Sequence, residues 1–334
     1  MKNSFTERGI IERIKCRVPV PEGDLLVGIG DDCSVVKRST GILELFTVDT
    51  LVEGIHFDSS WHSPRLLGRK AVSVNISDVA AMGGYPRYAL LSLGLPKGID
   101  ETWVRDFLDG FEEALGEFEV TLMGGDTVAS PGGVMISVTL VGESLEGQVL
   151  LRNTAKDGDL ILVSGVLGDA AAGLELYRMN KAGIHPEAYP AQIKAHLDPV
   201  PEIVLGQLLA ESGLVHAMMD LSDGLATDLA RLCEASGLGA EIAAETLPIS
   251  TGAERVAEAL ACSALEWAIA GGEDYRLLLT IDPGNREKLA ALVRTKLGRE
   301  LFLVGRMISK HGVFLVEDGH RREISYAGFD HFIE

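Results

Sequence analysis

Residues 63–84 read SPRLLGRKAVSVNISDVAAMGG, and this stretch decides how the first half of the chain folds. Its opening serine–proline pair predicts a helix start, because serine can cap free backbone N–H groups and proline fits the first turn. Its closing glycine pair predicts where the helix ends. Apolar strand patterns flank it at Ile42–Val48 and Tyr88–Leu95. The order strand, helix, strand predicts an α/β unit.

The alternation of strands and helices continues along the rest of the chain. Further strands are predicted at Val120–Met123, Val134–Val141, Asp159–Ser164, Tyr275–Ile281, Leu301–Arg306 and Val313–Val316. Further helices are predicted at about Asp100–Gly116, Asp169–Met179, Pro201–Ser212, Gly224–Ser236, Ala253–Cys262 and Arg286–Leu297. The polar, glycine-punctuated segment Ser144–Gly158 predicts a junction between one domain at residues 1–146 and another at residues 147–334. The predicted fold class is α/β (α+β) with two domains.

The charge balance restricts the partners. The 334 residues carry 49 acidic and 30 basic side chains, which gives a net charge of −19. Such a surface repels nucleic acid and anionic membranes, so we expect neither as a partner. No apolar run approaches the roughly 20 residues that span a bilayer, and we predict a cytoplasmic location. The cysteines show no paired spacing and are expected to be reduced and mostly packing thiols; they are Cys16, Cys33, Cys233 and Cys262.

Six short runs place an acidic residue beside glycine, serine or threonine. They are GIGDD (28–32), TVDT (47–50), NISD (75–78), GGDT (124–127), DLSDG (220–224) and GGED (271–274). Two carboxylates about 4 Å apart repel by roughly 4 kcal/mol at an effective dielectric near 20. A hard divalent cation reverses that sign, because carboxylate and carbonyl oxygens are the ligands that Mg²⁺ prefers. Together the runs predict one Mg²⁺-bridged phosphate site assembled from distant parts of the chain.

The first two runs have structural alternatives, and the third favours a ligand. Asp31 and Asp32, on a glycine turn, are also explained as caps of that turn. Asp49 ends a predicted strand, where α/β proteins place binding residues, and the alternative is a merely polar loop. Asn75 and Asp78 share one face of an otherwise apolar helix, where a polar pair without a ligand is unfavourable. A ligand-binding role is therefore favoured most for this helix.

The later runs are predicted to lie at the ends of elements. GGDT follows a predicted strand, where its glycines let the backbone approach phosphate oxygens and Asp126 holds the metal. Ser222 is expected to cap the helix after DLSDG, although capping needs fewer acidic groups than Asp220 and Asp223 supply. Lys70, on the long first helix, is expected to be a surface lysine, with a phosphate contact as the alternative. No Walker A loop, zinc spacing or GxSxG elbow occurs.

This ordered set resembles the thiamine-monophosphate kinase family, in the superfamily that also holds aminoimidazole ribonucleotide synthetase and selenophosphate synthetase. The likeness covers nearly the whole chain, in GIGDDC, TVDTLVEGIHF, VNISDVAAMGG, MGGDT, DLSDGL, AGGEDY and the closing YAGFDHF. It implies an aminoimidazole ribonucleotide synthetase-like fold of two α/β domains. It also implies a homodimer in which the N-terminal domains complete a barrel-like sheet, with the active sites near the interface.

The resemblance also implies roles for single residues. The Mg²⁺-binding positions are Asp32, Thr47, Val48, Asp49, Asp78, Asp126, Asp220 and Asp223, and among them Asp126, Asp220 and Asp223 are the expected catalytic residues. The ATP-binding positions are Gly125, Asp126, Arg152 and Ser222, and the thiamine monophosphate-binding positions are His56, Glu273 and Phe329. The family often has a hydroxyl residue where this chain has Val48. Any metal contact there is expected from a backbone carbonyl, from Thr47 or from water.

The implied activity is phosphorylation of thiamine monophosphate to the diphosphate, with ATP as co-substrate and several Mg²⁺ ions. Transfer would be direct and in line, and the ionised acceptor phosphate needs no strong general base. One alternative is another ATP-using member of the superfamily, similar to aminoimidazole ribonucleotide synthetase or selenophosphate synthetase. For the latter, Cys16 and Lys15 lack the expected glycine-rich setting. The other alternative is a non-catalytic protein that binds metal or nucleotide.

Overall fold

The computed structural model describes residues 6–18 and 22–331. Its first unit is a six-stranded mixed sheet with a long helix packed on one face. The strands are β1 (Leu25–Val27), β2 (Ser34–Ser39), β3 (Ile42–Val52), β4 (Tyr85–Pro96), β5 (Thr121–Ser130) and β6 (Met135–Leu145). The helices are α1 (Glu7–Lys15), α2 (Pro64–Ala81) and α3 (Glu101–Glu117). The strand order β1-β2-β3-β6-β4-β5 leaves β5 at an edge.

The core of the first unit lies between one face of this sheet and α2. Side chains of β6 alternate in burial, with Ile136, Val138 and Leu140 facing the core. α2 buries 13 of its 18 residues, and α3 packs along it. A Cβ atom at Gly68 or Gly110 would collide with the backbone of the facing helix. This close packing fixes α2, and with it the polar groups of α2, over the sheet.

The second unit is a seven-stranded sheet in the order β13-β12-β9-β11-β7-β10-β8. Its strands are β7 (Leu160–Val163), β8 (Val215–Asp220), β9 (Gly239–Ala243), β10 (Leu277–Ile281), β11 (Phe302–Ile308), β12 (Gly312–Glu317) and β13 (His320–Glu323). Its helices are α4 (Asp169–Met179), α5 (Pro190–Leu197), α6 (Ile203–Ser212), α7 (Leu225–Ser236), α8 (Thr251–Leu260), α9 (Ala264–Ala270) and α10 (Arg286–Leu297). The proposed domain boundary between residues 146 and 147 lies in the segment between β6 and β7.

Each predicted strand and helix overlaps an observed one, but several strands are longer than predicted, and in β3 and β5 the extension includes a predicted site residue. β3 continues to Val52, so Asp49 lies inside a strand and not at its end. β5 continues through GGDT to Ser130, so Asp126 also lies inside a strand. The cause is pairing with neighbours: β3 stays in register with β6 along its whole length, and β5 pairs with β4 from Thr121 to Ser130 with one register shift, between Leu122 and Gly124. Ladder hydrogen bonds outweigh the local turn preference of glycine.

Eight elements were not predicted, and most of them are short. They are β1, β2, β8, β9, β13, α1, α5 and α9. Five of them have at most six residues, too few for a periodic pattern to be distinct. All four cysteines are free, but only Cys33 and Cys233 are buried. The expectation of mostly packing thiols therefore holds for Cys33 and Cys233 and is wrong for Cys16 and Cys262, which lie at the surface. Across the described ranges, no helix combines the length and apolar character needed to cross a membrane.

Candidate active site

A cleft of about 1860 Å³ lies between the two units. The first unit lines it with α1, β3 and the loop that follows β3. The second unit lines it with α4, α7, α9, residues 271–273, Tyr275 and the C-terminal residues 326–331. A pocket for one small ligand usually measures roughly 300–1,000 Å³. The cleft therefore has room for two substrates side by side.

Three carboxylates meet in this region of the molecule. Asp32 follows β1, Asp78 lies in the last turn of α2, and Asp220 ends β8. One oxygen atom of each lies within 4.8 Å of the other two. Ser77 donates a hydrogen bond to Asp220 at 2.6 Å, and the Thr47 hydroxyl donates one to Asp78. Both units therefore contribute to one acidic cluster.

The carboxyl groups in this cluster resist ionisation. Burial raises the pKa of Asp32 to about 8 and that of Asp220 to about 6. Burial also raises the pKa of Asp49 to about 7, and Asp220 and Asp223 add repulsion there. The pKa of Asp78 is raised well above its ordinary value by burial and then by Asp49, Asp220 and Asp32. Each negative charge is thus disfavoured by loss of water and by its neighbours.

β3 places alternate side chains on opposite faces of the sheet. Thr47 is buried and reaches Asp78. The backbone N–H of Asp49, two residues on, donates to Asn75 Oδ1 at 3.1 Å. Val48 lies between them on the opposite face, with a side chain that is 60% exposed. Val48 has no polar side-chain atom to offer this cluster, as the sequence indicated.

The cluster has the donor atoms that a hard divalent cation requires. Asp32 Oδ2 is buried and, among the described residues, has no hydrogen-bond partner. A buried carboxylate oxygen without a partner is unfavourable, more so beside further carboxylates. Carboxylate oxygens are preferred Mg²⁺ ligands. Asp32, Asp78 and Asp220 therefore fit such an ion.

Arg152 borders the acidic cluster. Its backbone N–H donates to Asp31 Oδ2 at 3.2 Å, and its guanidinium pairs with both Asp31 and Asp32. Burial alone would lower the pKa of Arg152, but these two carboxylates raise it. Arg152 therefore stays charged where it lines the cleft. Asp31 is a partner of this arginine and does not belong to the group of three carboxylates.

Asp228 organises the DLSDG turn at the start of α7. Its Oδ2 accepts hydrogen bonds from the backbone N–H groups of Ser222, Asp223 and Gly224 at 3.0–3.1 Å. Gly224 is the N-cap residue, with a φ of 106° and no side-chain cap bond. The expectation that Ser222 caps this helix is therefore wrong, because Asp228 reaches back to the same donors. These N–H groups are already satisfied within the protein.

The C-terminal segment joins the cleft wall next to this turn. The Phe329 backbone N–H donates to the Asp223 carbonyl at 3.1 Å, and the Phe329 side chain is 46% exposed in the cleft. The Phe329 ring lies 4.8 Å from the ring of His331, which lies 5.0 Å from that of His56. His56 Nδ1 accepts the Val52 N–H at 3.0 Å, and burial lowers the pKa of His56. The structure thus brings the predicted residues His56 and Phe329 together.

Glu273, the third predicted contact for thiamine monophosphate, lines the same cleft and belongs to a buried network. Lys70 Nζ lies 2.6 Å from Glu273 Oε1, and His196 Nδ1 lies 3.1 Å from Oε2. Lys70 is fully buried, so the expectation of a surface lysine is wrong; α5 and Glu273 cover it. The neighbouring Asp274 has another role, since its Oδ2 accepts the Gly168 N–H at 2.8 Å and holds the start of α4.

Two predicted residues lie apart from the cleft of this chain. Gly125 and Asp126 are in β5, of which all residues but the last are exposed. A Cβ atom at Gly125 would collide with the Leu91 carbonyl, so glycine is needed there for strand pairing. Asp126 Oδ1 accepts the Thr127 N–H at 2.9 Å. Neither Gly125 nor Asp126 lines the cleft between the two units.

The sequence interpretation missed several polar residues around the cleft. Arg231 Nη1 lies 2.6 Å from Asp223 Oδ2 and 3.0 Å from Asp228 Oδ1. The spacing of Asp228 and Arg231, three residues apart on one helix, was a usable signal. No comparable signal existed for His196, because its partner Glu273 is 77 residues away.

Comparisons with known proteins agree with this architecture. The family model for AIR synthase related protein, N-terminal domain, matches residues 30–144, and that for the C-terminal domain matches residues 156–318. The thiamine-monophosphate kinase of Haemophilus influenzae is 36% identical over 332 residues, which are 98% of each chain. That of Escherichia coli K12 is 36% identical over 327 residues, again 98% of each.

Solved structures give the same result. The structure described as AaThiL complexed with AMPPCP and TMP matches with a TM-score of 0.85 and 36% identity, over 99% of each chain. A thiamine monophosphate kinase from Aquifex aeolicus matches with a TM-score of 0.77 and 34% identity, over 94% of this chain and 98% of the other. The resemblance and the fold class predicted from the sequence are therefore confirmed, and the chain belongs to the thiamine-monophosphate kinase family.

Proposed function

We propose that this chain transfers the γ-phosphoryl group of ATP to thiamine monophosphate, giving thiamine diphosphate and ADP. The observation that carries the proposal is the cluster of Asp32, Asp78 and Asp220 beside a cleft with room for both substrates. The match to a relative described as complexed with AMPPCP and TMP supports the same two ligands. Because ATP is the donor, we expect the reaction in the cytoplasm.

The acidic residues would hold several Mg²⁺ ions. Asp32, Asp78 and Asp220 form the first group of ligands, and Asp49 and Asp223 are the nearest additions through their electrostatic coupling to Asp220. Bound Mg²⁺ supplies positive charge that screens the phosphate oxygens of two anionic substrates. The hydroxyl groups that donate to Asp78 and Asp220 keep these carboxylates oriented.

Other residues of the chain bind and orient the substrates. Arg152, held by Asp31 and Asp32, presents a fixed positive charge for phosphate groups of ATP. Phe329 and His56 offer a ring surface for the thiamine end of the acceptor. Positioning of two substrates in one cleft accounts for a large part of such catalysis.

The transfer needs no general base from the protein. A phosphate monoester is largely ionised near neutral pH, since its second pKa is about 6. His56 is unsuited to that role because its Nδ1 already accepts the Val52 N–H, which leaves the proton of the neutral ring on Nε2. Nε2–H can only donate. We therefore propose direct, in-line transfer without a covalent enzyme intermediate.

The test is a product assay with purified protein, ATP, Mg²⁺ and thiamine monophosphate, with thiamine diphosphate followed by chromatography. Parallel reactions contain free thiamine or EDTA. We expect diphosphate from the monophosphate alone, and only with the metal. Absence of product while ATP still binds would reject the kinase proposal in favour of another acceptor or a binding protein.

We propose in addition that the chain acts as a homodimer joined along β5. This edge strand has exposed apolar side chains, which include Leu122, Met123 and Val128 at 43–55% exposure. A long, exposed, apolar edge strand is a template for pairing with another chain. Burying this edge against a second copy would remove both the free backbone groups and the apolar surface.

The dimer would also account for Asp126. The residues Asp49, Val138, Leu91 and Gly125 lie in one row across β3, β6, β4 and β5. Three strand spacings separate the ends of that row by about 14 Å along the sheet. If Asp126 serves a metal site, as the resemblance implies, a second copy is better placed to supply it than its own chain.

Subunit mixing tests this arrangement. Asp126→Asn and Asp220→Asn are expected to be nearly inactive alone and folded. If Asp126 acts on the partner's site, each mixed dimer contains one intact site, and random mixing restores about a quarter of wild-type activity. If Asp126 acts within its own chain, no site is intact. Absence of recovery, with mixed dimers verified by tagged subunits, would reject action across the interface.

A further inference from the structure

The buried network of Lys70, His196 and Glu273 has no part in the proposed phosphoryl transfer. Lys70 is fully buried, His196 is 2% exposed, and both His196 and Glu273 line the cleft. Lys70 comes from α2 of the first unit, and its two partners come from the second. Lys70 Nζ also donates to the His196 carbonyl at 3.3 Å. The network therefore joins both units at the cleft wall.

Its contacts define which atoms carry protons. Burial alone would raise the pKa of Glu273, but the Lys70 ammonium and His196 lower it, so the carboxylate stays ionised and can only accept. The atom that donates to Glu273 Oε2 must then be His196 Nδ1–H, at 3.1 Å. Burial, with Lys70 close by, lowers the pKa of His196 and keeps its ring neutral. His196 Nε2 is thus a free lone pair.

That lone pair has no partner. Among the described residues nothing donates a hydrogen bond to His196 Nε2, although the atom is buried. A buried acceptor without a donor costs about 1–3 kcal/mol. Because His196 also lines the cleft, a molecule bound in the cleft is the candidate for the missing donor.

The backbone next to it is strained as well. Glu273 has a φ of 68° and Tyr275 a φ of 47°, both in the left-handed region. This conformation costs roughly 1–2 kcal/mol for a residue with a side chain. Asp274, between them, is tied to the start of α4, and Glu273 is tied to Lys70. Strain maintained in this way is typical of functional segments.

We propose that His196 determines substrate specificity: its Nε2, beside the Glu273 carboxylate, accepts a hydrogen bond from the exocyclic amine of the pyrimidine ring of thiamine monophosphate. The inference rests on the proposed function and extends it to the recognition of the organic part of the substrate. Lys70 is a positioning residue here, since it keeps Glu273 ionised and thereby fixes the orientation of the His196 ring.

The chemistry of the substrate makes this selective. An amine offers hydrogen atoms to two acceptors, whereas a carbonyl oxygen at the same ring position offers lone pairs to them. A site built around a substrate N–H rejects an analogue that lacks it, because its buried polar groups are left unpaired. Oxythiamine monophosphate, in which a carbonyl replaces the amine, is therefore the probe that isolates this contact.

The experiment measures calorimetric dissociation constants of thiamine monophosphate and oxythiamine monophosphate, with Mg²⁺ and a non-hydrolysable ATP analogue. His196→Asn keeps an atom near the Nδ1 position but loses Nε2, whereas His196→Gln places an amide near Nε2. His62→Gln is the matched control, since His62 is equally buried, also has an unpartnered Nδ1 and does not line the cleft. Its Nε2 contact with the Leu197 carbonyl, at 3.1 Å, can be kept by glutamine.

We expect the wild type to prefer the amine by about 100-fold and His196→Asn by less than about tenfold, while His196→Gln and His62→Gln keep the preference. An equal affinity of the wild type for both probes, or an unchanged preference in His196→Asn, would overturn the inference. If His196→Asn does not fold, ¹⁵N-histidine spectra of the wild type decide. Only the amine should shift the Nε2 signal, and a signal that stays unshifted overturns the proposal.

The kinase assay separates the two proposals. Product from thiamine monophosphate with no amine preference rejects only the role of His196. Tight, amine-selective binding without product rejects only the kinase activity. Absence of any binding rejects both.

Discussion

The carboxylates at the cleft lie in two opposite electrostatic environments. In the acidic cluster, Asp32, Asp78 and Asp220 lie within 4.8 Å of one another, and their pKa values are raised. In the network at Glu273, one carboxylate has a lysine at 2.6 Å and a histidine at 3.1 Å, and its pKa is lowered. Burial acts on both groups alike. The two groups differ in the charge of their neighbours. The acidic cluster lacks a compensating cation, whereas Glu273 has one and is a rigid hydrogen-bond acceptor.

Removal of one charge from the acidic cluster should have the largest effect. We expect Asp78→Asn to lower kcat/KM by at least about 10³-fold, which corresponds to roughly 4 kcal/mol of transition-state stabilisation. In EDTA at pH 8 the variant should melt no lower than the wild type, because the amide relieves repulsion and still accepts the Thr47 hydroxyl. Steady-state kinetics and thermal melting measure both quantities. Asp106→Asn, at an exposed position of α3, is the control.

A variant with normal turnover would remove Asp78 from the metal site. If Asp78→Asn melts far below the wild type in EDTA, the acidic cluster stabilises the metal-free fold and is not a set of metal ligands that lack their ion.

Removal of the Lys70 cation beside Glu273 should lower the stability of the protein, in contrast to Asp78→Asn. Lys70→Met leaves Glu273 buried without its partner, and we expect a loss of about 3–5 kcal/mol in the free energy of unfolding. Lys37→Met is the control, because Lys37 pairs with Glu146 at 3.4 Å on the surface, and such pairs contribute about 0–1 kcal/mol. Denaturant unfolding of both variants tests the difference. Equal losses would mean that the buried pair contributes no more than a surface pair.

The pH dependence of stability distinguishes the two groups without mutation. A carboxyl group with a raised pKa takes up its proton on folding, so its contribution to stability falls as pH rises toward the folded-state value. With Asp49 at about 7 and Asp32 at about 8, the metal-free protein should lose stability between pH 6 and pH 9. Glu273, with a lowered pKa, changes stability only below about pH 4.5.

We expect the melting temperature in EDTA to fall by at least about 3 °C over this range, the shift produced by roughly 1 kcal/mol. Mg²⁺ should flatten the profile, since the ion replaces protons in the cluster. A metal-free protein that is equally stable at pH 6 and pH 9 would contradict the raised pKa values.

The smallest expected effect comes from Phe329, which lies in the wall of the cleft. Phe329→Ala should raise KM for thiamine monophosphate about tenfold and leave kcat nearly unchanged, because an aromatic contact contributes roughly 0.5–1.5 kcal/mol. Val204→Ala, which truncates an exposed apolar side chain on α6, serves as the control. Initial rates at varied substrate concentration measure both constants. A fall in kcat without a change in KM would remove Phe329 from substrate binding.

The membership of the acidic cluster was largely predictable, because the six short acidic runs occur together in an order that resembles one family. Asp32, Asp78 and Asp220 were all expected to be metal ligands, and the structure places them together. Their binding of Mg²⁺ stays a prediction. Asn75 and Asp78 share a face of α2 as the helical spacing requires. Local spacing was sufficient for this pair because both residues lie on one helix.

The partners of the acidic residues were not predictable. Asp223 and Asp228 are five residues apart, yet only Asp228 satisfies the backbone of the turn. Glu273 and Asp274 are adjacent, yet one lines the cleft and the other holds α4. Side chains of neighbouring residues point in different directions. Which of them finds a hydrogen-bond donor depends on elements that are far away in the chain.

The sequence by itself determined the family, the two α/β units and the set of acidic residues, since these follow from motifs and from the periodicity of single segments. Only the tertiary structure decided which carboxylates remain without compensating charge. Burial of Lys70 and its contact with Glu273 arise when α2 meets α5 and the 271–275 segment, and no local pattern encodes that meeting. Electrostatic free energy depends on distance and on the removal of water, and both are fixed only when the two units pack together.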